Sequence, residues 1–180
     1  MTISMPEIAK NDWVRLITSG LVGASLVAGV SFYNFNRQMN LAIRQQQISL
    51  SRDLAREFYQ LDGLYRELRT TIESCQPLYK QSGGKFSHDQ INRYLGFFDD
   101  LGFYLNQEAL TIEIIDHLFG AYLIEAFEHP EIRRYISLLR TSMDQPGALK
   151  EFEQLAALLE NDPRKQRQVQ NARAACKRQP

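Results

Sequence analysis

No charged residue occurs between Leu16 and Asn36, a run of 21 residues reading LITSGLVGASLVAGVSFYNFN. A helix that crosses a bilayer needs roughly 20 predominantly apolar residues. Trp13 and Tyr33 stand at the two ends, with Phe32 and Phe35 beside the second. The separation from Trp13 to Tyr33 corresponds to about 30 Å of helix, the thickness of the hydrocarbon core. Interfacial depth suits aromatics, because one edge is apolar and the other meets water. A buried core helix is the alternative, but the run has no polar face and would have to be enclosed all round. A cleaved signal peptide is a second alternative, with Val27-Ala28-Gly29 as its cleavage site. The leader before the run is long and mixed in charge, however, and the run continues past that site. LVAG resembles the start of a lipoprotein box, yet Val30 stands where the lipidated Cys belongs. The expectation is an uncleaved transmembrane helix over residues 13–36, preceded by a short flank over 1–12.

Orientation follows from flanking Lys and Arg. Lys10 and Arg15 precede the run, whereas Arg37, Arg44, Arg52 and Arg56 follow it. The balance places the C-terminal body in the cytoplasm, under the inner membrane. Small residues recur at four-residue steps, Gly20, Ala24 and Ala28 on one line and Ser25 and Gly29 on another. Such spacing lets two helix backbones approach closely. The lipid bilayer is thus one expected partner, and a second copy or another membrane protein is the other.

From residue 37 to 76 the chain has no Pro and one Gly, Gly63. Leu54, Phe58, Leu61, Tyr65, Leu68, Ile72 and Cys75 step by four and three, a heptad seam. A stalk helix of about 40 residues is expected, roughly 60 Å long. Its seam packs either on the protein's own C-terminal helices or on a second copy as a coiled coil. Pro77 closes the helix. Gly83-Gly84-Lys85 is not a phosphate loop, because the G-x-x-x-x-G-K-[ST] spacing is missing and Phe86 follows the Lys.

A compact bundle is expected over 77–162. Ser87 and Gln90 form a capping box, with Phe86 and Ile91 at the staple positions. Ile91, Tyr94, Leu95, Phe98, Leu101 and Leu105 make one apolar face. Thr111 is placed to cap a third helix, and His129-Pro130 to start a fourth, since Pro is tolerated at the first helical position. Gln145-Pro146-Gly147 breaks the chain before a fifth helix that ends near Glu160. No stretch alternates with period two for long enough to make a sheet. The class is all-α, with short connections that suit an antiparallel bundle.

The segment INRYLGFFDDLGFYLNQEALTIEIIDHLFG carries two recurring patterns. Asn92, Phe97, Phe98, Asp99, Leu101 and Gly102 form the first, and Asp116, Leu118, Phe119 and Gly120 the second. In these the chain resembles the bacterial family called domain of unknown function 4760, over about residues 50–160. The resemblance implies a membrane-anchored helical protein with family-motif core positions at those residues and no stated activity.

Candidate chemistry is thin, and no catalytic, cofactor or metal residue is assigned. Glu113 and His117 are four apart, the spacing of a surface pair. A di-metal bundle would need a second copy of a Glu-x-x-His pattern, and none exists in the sequence. One of Asp99 and Asp100 is expected to face inward and pair with an Arg such as Arg133 or Arg134. Two cysteines, Cys75 and Cys176, are too few for a disulfide-stapled scaffold or a four-Cys zinc site. Cys75 is expected as a buried thiol on the seam.

Net charge is zero, with 21 basic and 21 acidic residues. That neutrality hides sorting. Residues 77–162 hold 7 basic and 14 acidic residues, whereas 163–180 hold Arg164, Lys165, Arg167, Arg173, Lys177 and Arg178 and no acid. The tail could be a solvated end, fold back on the acidic body, meet anionic lipid or bind nucleic acid. Nucleic acid ranks last, because the tail has no aromatic residue for base stacking. The mean hydropathy of −0.35 excludes a multi-span protein but averages away one span. Together these features point to a non-enzymatic, single-pass docking or scaffold subunit. The alternative is a regulatory or defence-type nucleic-acid or nucleotide binder that uses the basic tail.

Overall fold

The computed structural model describes residues 10–60, 62–142 and 144–177, with side chains described from Tyr33 onward apart from residues 60, 62 and 142. Seven α-helices account for most of them: α1 Lys10–Gln60, α2 Asp62–Glu73, α3 His88–Asn106, α4 Ile112–Glu128, α5 Pro130–Ser142, α6 Lys150–Glu160 and α7 Gln166–Lys177. Short 3-10 turns lie at Lys80–Ser82 and Pro163–Lys165. Among the described residues there is no strand, only a single bridge between Tyr79 and Phe86. The protein is all-α, as its sequence pattern leads one to expect.

The chain divides into two compact units, one up to Ile48 and one from Ser49 onward. In the first, α1 carries exposed Tyr33, Phe35, Met39, Leu41, Ile43 and Ile48. The membrane span expected over 13–36 falls largely on residues whose side chains lie outside the description, including Trp13, Gly20, Ala24, Ser25, Ala28, Gly29 and Phe32. Among the described residues no helix is long and apolar enough to cross a membrane.

The second unit starts earlier than the bundle expected at residue 77. Leu54, Phe58, Tyr65, Leu68 and Ile72 are all buried in its core. The second half of the expected stalk is therefore part of the body, its seam packed on the protein's own helices. Of the helix expected over 37–76, α1 is described to Gln60 and α2 over Asp62–Glu73, and Leu61 between them lies outside the described residues.

Local chemistry explains the ends of α3. Ser87 Oγ accepts from Gln90 N at 3.4 Å, and Gln90 Oε1 accepts from Ser87 N at 2.9 Å, closing the expected capping box. Phe86 and Ile91 are both buried beside it. The preceding loop turns through Gly83 at φ +90°, a left-handed conformation that glycine adopts without a Cβ clash. Thr111 does precede α4, but its hydroxyl makes no capping bond to the helix backbone. Pro130 opens α5, where the missing N–H costs nothing.

Asp99 and Gly102 hold α3 against α6. Asp99 Oδ1 accepts from Phe152 N at 2.9 Å. That amide lies in the first turn of α6, where donors have no intrahelical partner. Leu149, which precedes α6, sits at φ +54° and offers no side-chain acceptor, so the cap comes from another helix. Asp99 is thus the inward member of the Asp99–Asp100 pair, and this cap takes the place of the expected pairing with an Arg such as Arg133 or Arg134. A Cβ on Gly102 would lie 2.6 Å from Glu151 O, so only glycine permits the approach. Asp99→Ala is expected to lower stability by about 1–2 kcal/mol, read as a fall in the urea midpoint at unchanged slope.

Candidate functional site

Two features of the body bring polar groups together. The first is a cleft of about 260 Å³ between the Tyr79–Phe86 loop, the start of α3 and α5. Glu131 organises its floor, accepting from Leu78 N at 2.8 Å, Tyr79 N at 3.2 Å and Ser82 Oγ at 2.8 Å. The rings of Tyr79, His88 and Tyr135 form its wall, with centroids 4.9–5.6 Å apart. Tyr79 Oη and His88 Nδ1 are buried and have no hydrogen-bond partner among the described residues. Burial, then the nearby Tyr135 and Glu131, push the Tyr79 hydroxyl far above its usual range, so it stays a donor. The cleft has room for one polar side chain or a small molecule.

The second feature is the docked C-terminal helix. Beyond the turn at Pro163–Lys165 the basic tail folds as α7 and packs on α4, with Val169 buried. Lys165 Nζ lies 2.6 Å from Asp116 Oδ1. Arg173 bridges Glu128 at 2.8 Å and Glu160 at 3.0 Å, while Arg133 meets Glu128 from another side at 2.9 Å. Arg164 turns back on Asp162. Arg167 and Lys177 are exposed, and Arg178 lies outside the described residues. The tail has thus folded back on the acidic body.

Glu128 is 3% exposed at its side chain. Burial pushes its carboxyl up, but the hydrogen bonds from Arg173 and Glu160 and the charges of Arg133 and Arg173 outweigh it, and the carboxyl is held below its usual range. Glu160 moves the other way, pushed up first by burial and then by Glu128. A depressed carboxyl contributes stability above its unfolded pKa and loses it as pH falls through the folded one. Arg173→Met is accordingly expected to cost about 1–2 kcal/mol near pH 7 and progressively less as pH falls below the ordinary glutamate range. Urea melts on the two sides of that range measure the difference.

A third carboxyl, that of half-buried Glu125 on α4, shifts upward like Glu160. Burial, then the charge of Glu73, push it up to about 7, against the pull of Arg69. The native state then holds a proton that the unfolded chain releases above its ordinary carboxylate range, so stability falls as pH rises toward 7. Glu125→Gln is expected to stabilise the body at pH 8 by about 1–2 kcal/mol after solvent screening, and to leave stability at pH 4 unchanged. Thermal melts across that range test the sign.

α7 is also tied covalently. Cys75 and Cys176 form a disulfide, with Cα atoms 5.1 Å apart across a sequence separation of 101. The expected free thiol on the helical seam is corrected twice over. Cys75 lies just beyond α2 at φ +51°, and it is bonded. Both sulfurs and a ring nitrogen of His129 lie within 4.8 Å of one another. His129 is 1% exposed. Burial pushes its imidazole below the usual range, against the hydrogen bond to Gln76 and the charge of Glu131. Sequence reading missed this cluster, because its members are far apart in the chain. The only available signal was that the sequence contains exactly two cysteines.

The motif residues sort by depth. Phe97, Phe98, Leu101, Gly102, Phe119 and Gly120 are buried, and Asp99, Asp116 and Leu118 are half-buried. Asn92 is exposed, so its expected core placement is corrected. Glu113 and His117 are both exposed. A family model described as domain of unknown function (DUF4760) matches residues 21–158. The chain belongs to the DUF4760 family. No curated protein and no solved structure matches it. The DUF4760 match takes in α2 to α5, the Asp99 cap and the Glu131 cleft, and it ends inside α6. Cys176 and all of α7 lie beyond it, so one half of the disulfide is outside the family-matched segment of this DUF4760 protein.

Proposed function

We propose that this DUF4760 protein is a single-pass, membrane-anchored docking or scaffold subunit, non-enzymatic, that grips an apolar helix of a membrane partner through α1. The observation that carries this reading is the exposed apolar surface on α1 that starts at the end of the uncharged run and continues past it. Tyr33 is 67% exposed and Phe35 58%, and Met39, Leu41, Ile43 and Ile48 are each about half exposed. So many large apolar side chains in so short a segment mark an interaction surface. Phe35, Met39 and Ile43 are four apart and share one helical face. The small-residue lines Gly20-Ala24-Ala28 and Ser25-Gly29 in the sequence before them suit close helix packing. The nucleic-acid reading needs a free basic tail and draws no support from one in which Lys165 and Arg173 are engaged by the chain's own carboxylates.

A photo-crosslinking residue at position 39, activated in native membranes, tests the reading. A covalent product is expected. Twice the chain's mass identifies a second copy, and any other mass identifies a different membrane protein. Phe35→Ser with Ile43→Ser is expected to abolish the product. A chain that alkaline carbonate releases from membranes, or that yields no product and migrates as a monomer in mild detergent, overturns the reading.

A further inference from the structure

The cluster at the joint between α2, α4 and α7 has the chemistry of a metal site. Two sulfurs and one imidazole nitrogen lie within 4.8 Å of one another. One hydrogen bond fixes the tautomer of the imidazole. His129 Nε2 lies 3.2 Å from the carbonyl oxygen of Gln76. A carbonyl can only accept, so Nε2 carries the proton and Nδ1 carries the lone pair. Nδ1 is buried and has no hydrogen-bond partner among the described residues. A ligating histidine is typically held in this way, with its other ring N–H donated to a backbone carbonyl. An unpaired buried acceptor is otherwise unfavourable.

We propose that Cys75, Cys176 and His129 bind one zinc-class divalent cation when the disulfide is reduced. Two thiolates and one neutral imidazole are ligands that suit Zn²⁺, and three protein ligands leave a fourth position for water. Cys176 is half-buried, so solvent reaches that side of the cluster. Reduction uses a dithiol. Its two sulfurs join in their own disulfide and supply two electrons, the Cys75–Cys176 bond breaks, and each cysteine sulfur takes one proton. Metal binding then releases those two protons to solvent, and His129 contributes its lone pair without losing a proton. Because α7 is tethered through the sulfurs in the oxidised state and through the cation in the reduced one, the site exchanges one staple for another. It couples the attachment of α7 to both redox state and metal supply.

The test uses the full chain in detergent. It is reduced with a phosphine, desalted without oxygen and titrated with Co²⁺ as a spectroscopic stand-in for Zn²⁺. One Co²⁺ per chain is expected, with thiolate-to-metal charge-transfer absorption that Zn²⁺ displaces, and the oxidised chain takes up none. Cys176→Ser is expected to remove the absorption while the helical circular dichroism persists. His129→Gln is expected to weaken binding about tenfold or more. A reduced, folded chain that takes up no Co²⁺ overturns the proposal, as does Co²⁺ uptake that Cys176→Ser leaves unchanged.

Discussion

Replacing Phe58 by Ala is expected to cost the folded body about 3–5 kcal/mol, which lowers its melting temperature by roughly 10–20 °C. Phe58 is 2% exposed. Its ring meets those of Phe97 at 5.0 Å, Tyr122 at 5.3 Å, Phe119 at 5.4 Å and Phe98 at 5.7 Å. It therefore joins the last turns of α1 to α3 and α4. Deleting the ring removes its transfer free energy and leaves a cavity that these rigid rings fill poorly. The near-ultraviolet dichroism of Tyr and Phe follows the melt. The contrast with Phe35→Ala on the exposed part of α1 is the informative one. That change is expected to leave the melt within about 0.5 kcal/mol. A similar loss at both positions would mean that Phe58 is not the hub of the core.

Reducing the Cys75–Cys176 disulfide, in buffer stripped of divalent metal, is expected to lower stability by about 2–5 kcal/mol. The bond closes a loop across a separation of 101 residues, and loop-closure entropy for a ring that size approaches 5 kcal/mol. The effect acts on the unfolded chain as much as on the folded one. α7 should feel it first, because its apolar burial is small: Val169 is its one fully buried side chain among the described residues. Hydrogen exchange is expected to accelerate in 166–177 before it changes in α3 or α4. Uniform acceleration across the body, or none, would show that the bond does not selectively hold α7.

What could be read from the chain depended on range. The capping box at Ser87 and Gln90 spans four residues, and its partners have no choice of geometry. The start of α5 at Pro130 is equally local. The heptad seam through Leu54 and Phe58 was visible, but the same spacing serves a coiled coil and an intramolecular core. Only tertiary packing tells them apart. One of Asp99 and Asp100 was expected to face inward; Asp99 is the half-buried one, and its partner is the amide of Phe152, 53 positions away. An arginine was expected because salt bridges are the usual partner of a buried acid, whereas the bare first turn of α6 offered an equally strong donor. The basic tail was visible as composition. Its helical docking rests on Lys165 and Arg173 finding particular carboxylates on α4 and α6, which composition does not reveal.

The Cys75–Cys176 bond makes everything between residues 75 and 176 a covalent ring. Residues 144–147, between α5 and α6, are exposed on that ring. A single protease cut there would open the ring without dividing the molecule. The two pieces would travel as one band until a reductant is added, and would then part at a boundary close to the end of the DUF4760 match. Limited digestion on paired gels, with and without reductant, therefore reports which bond holds α7 in place.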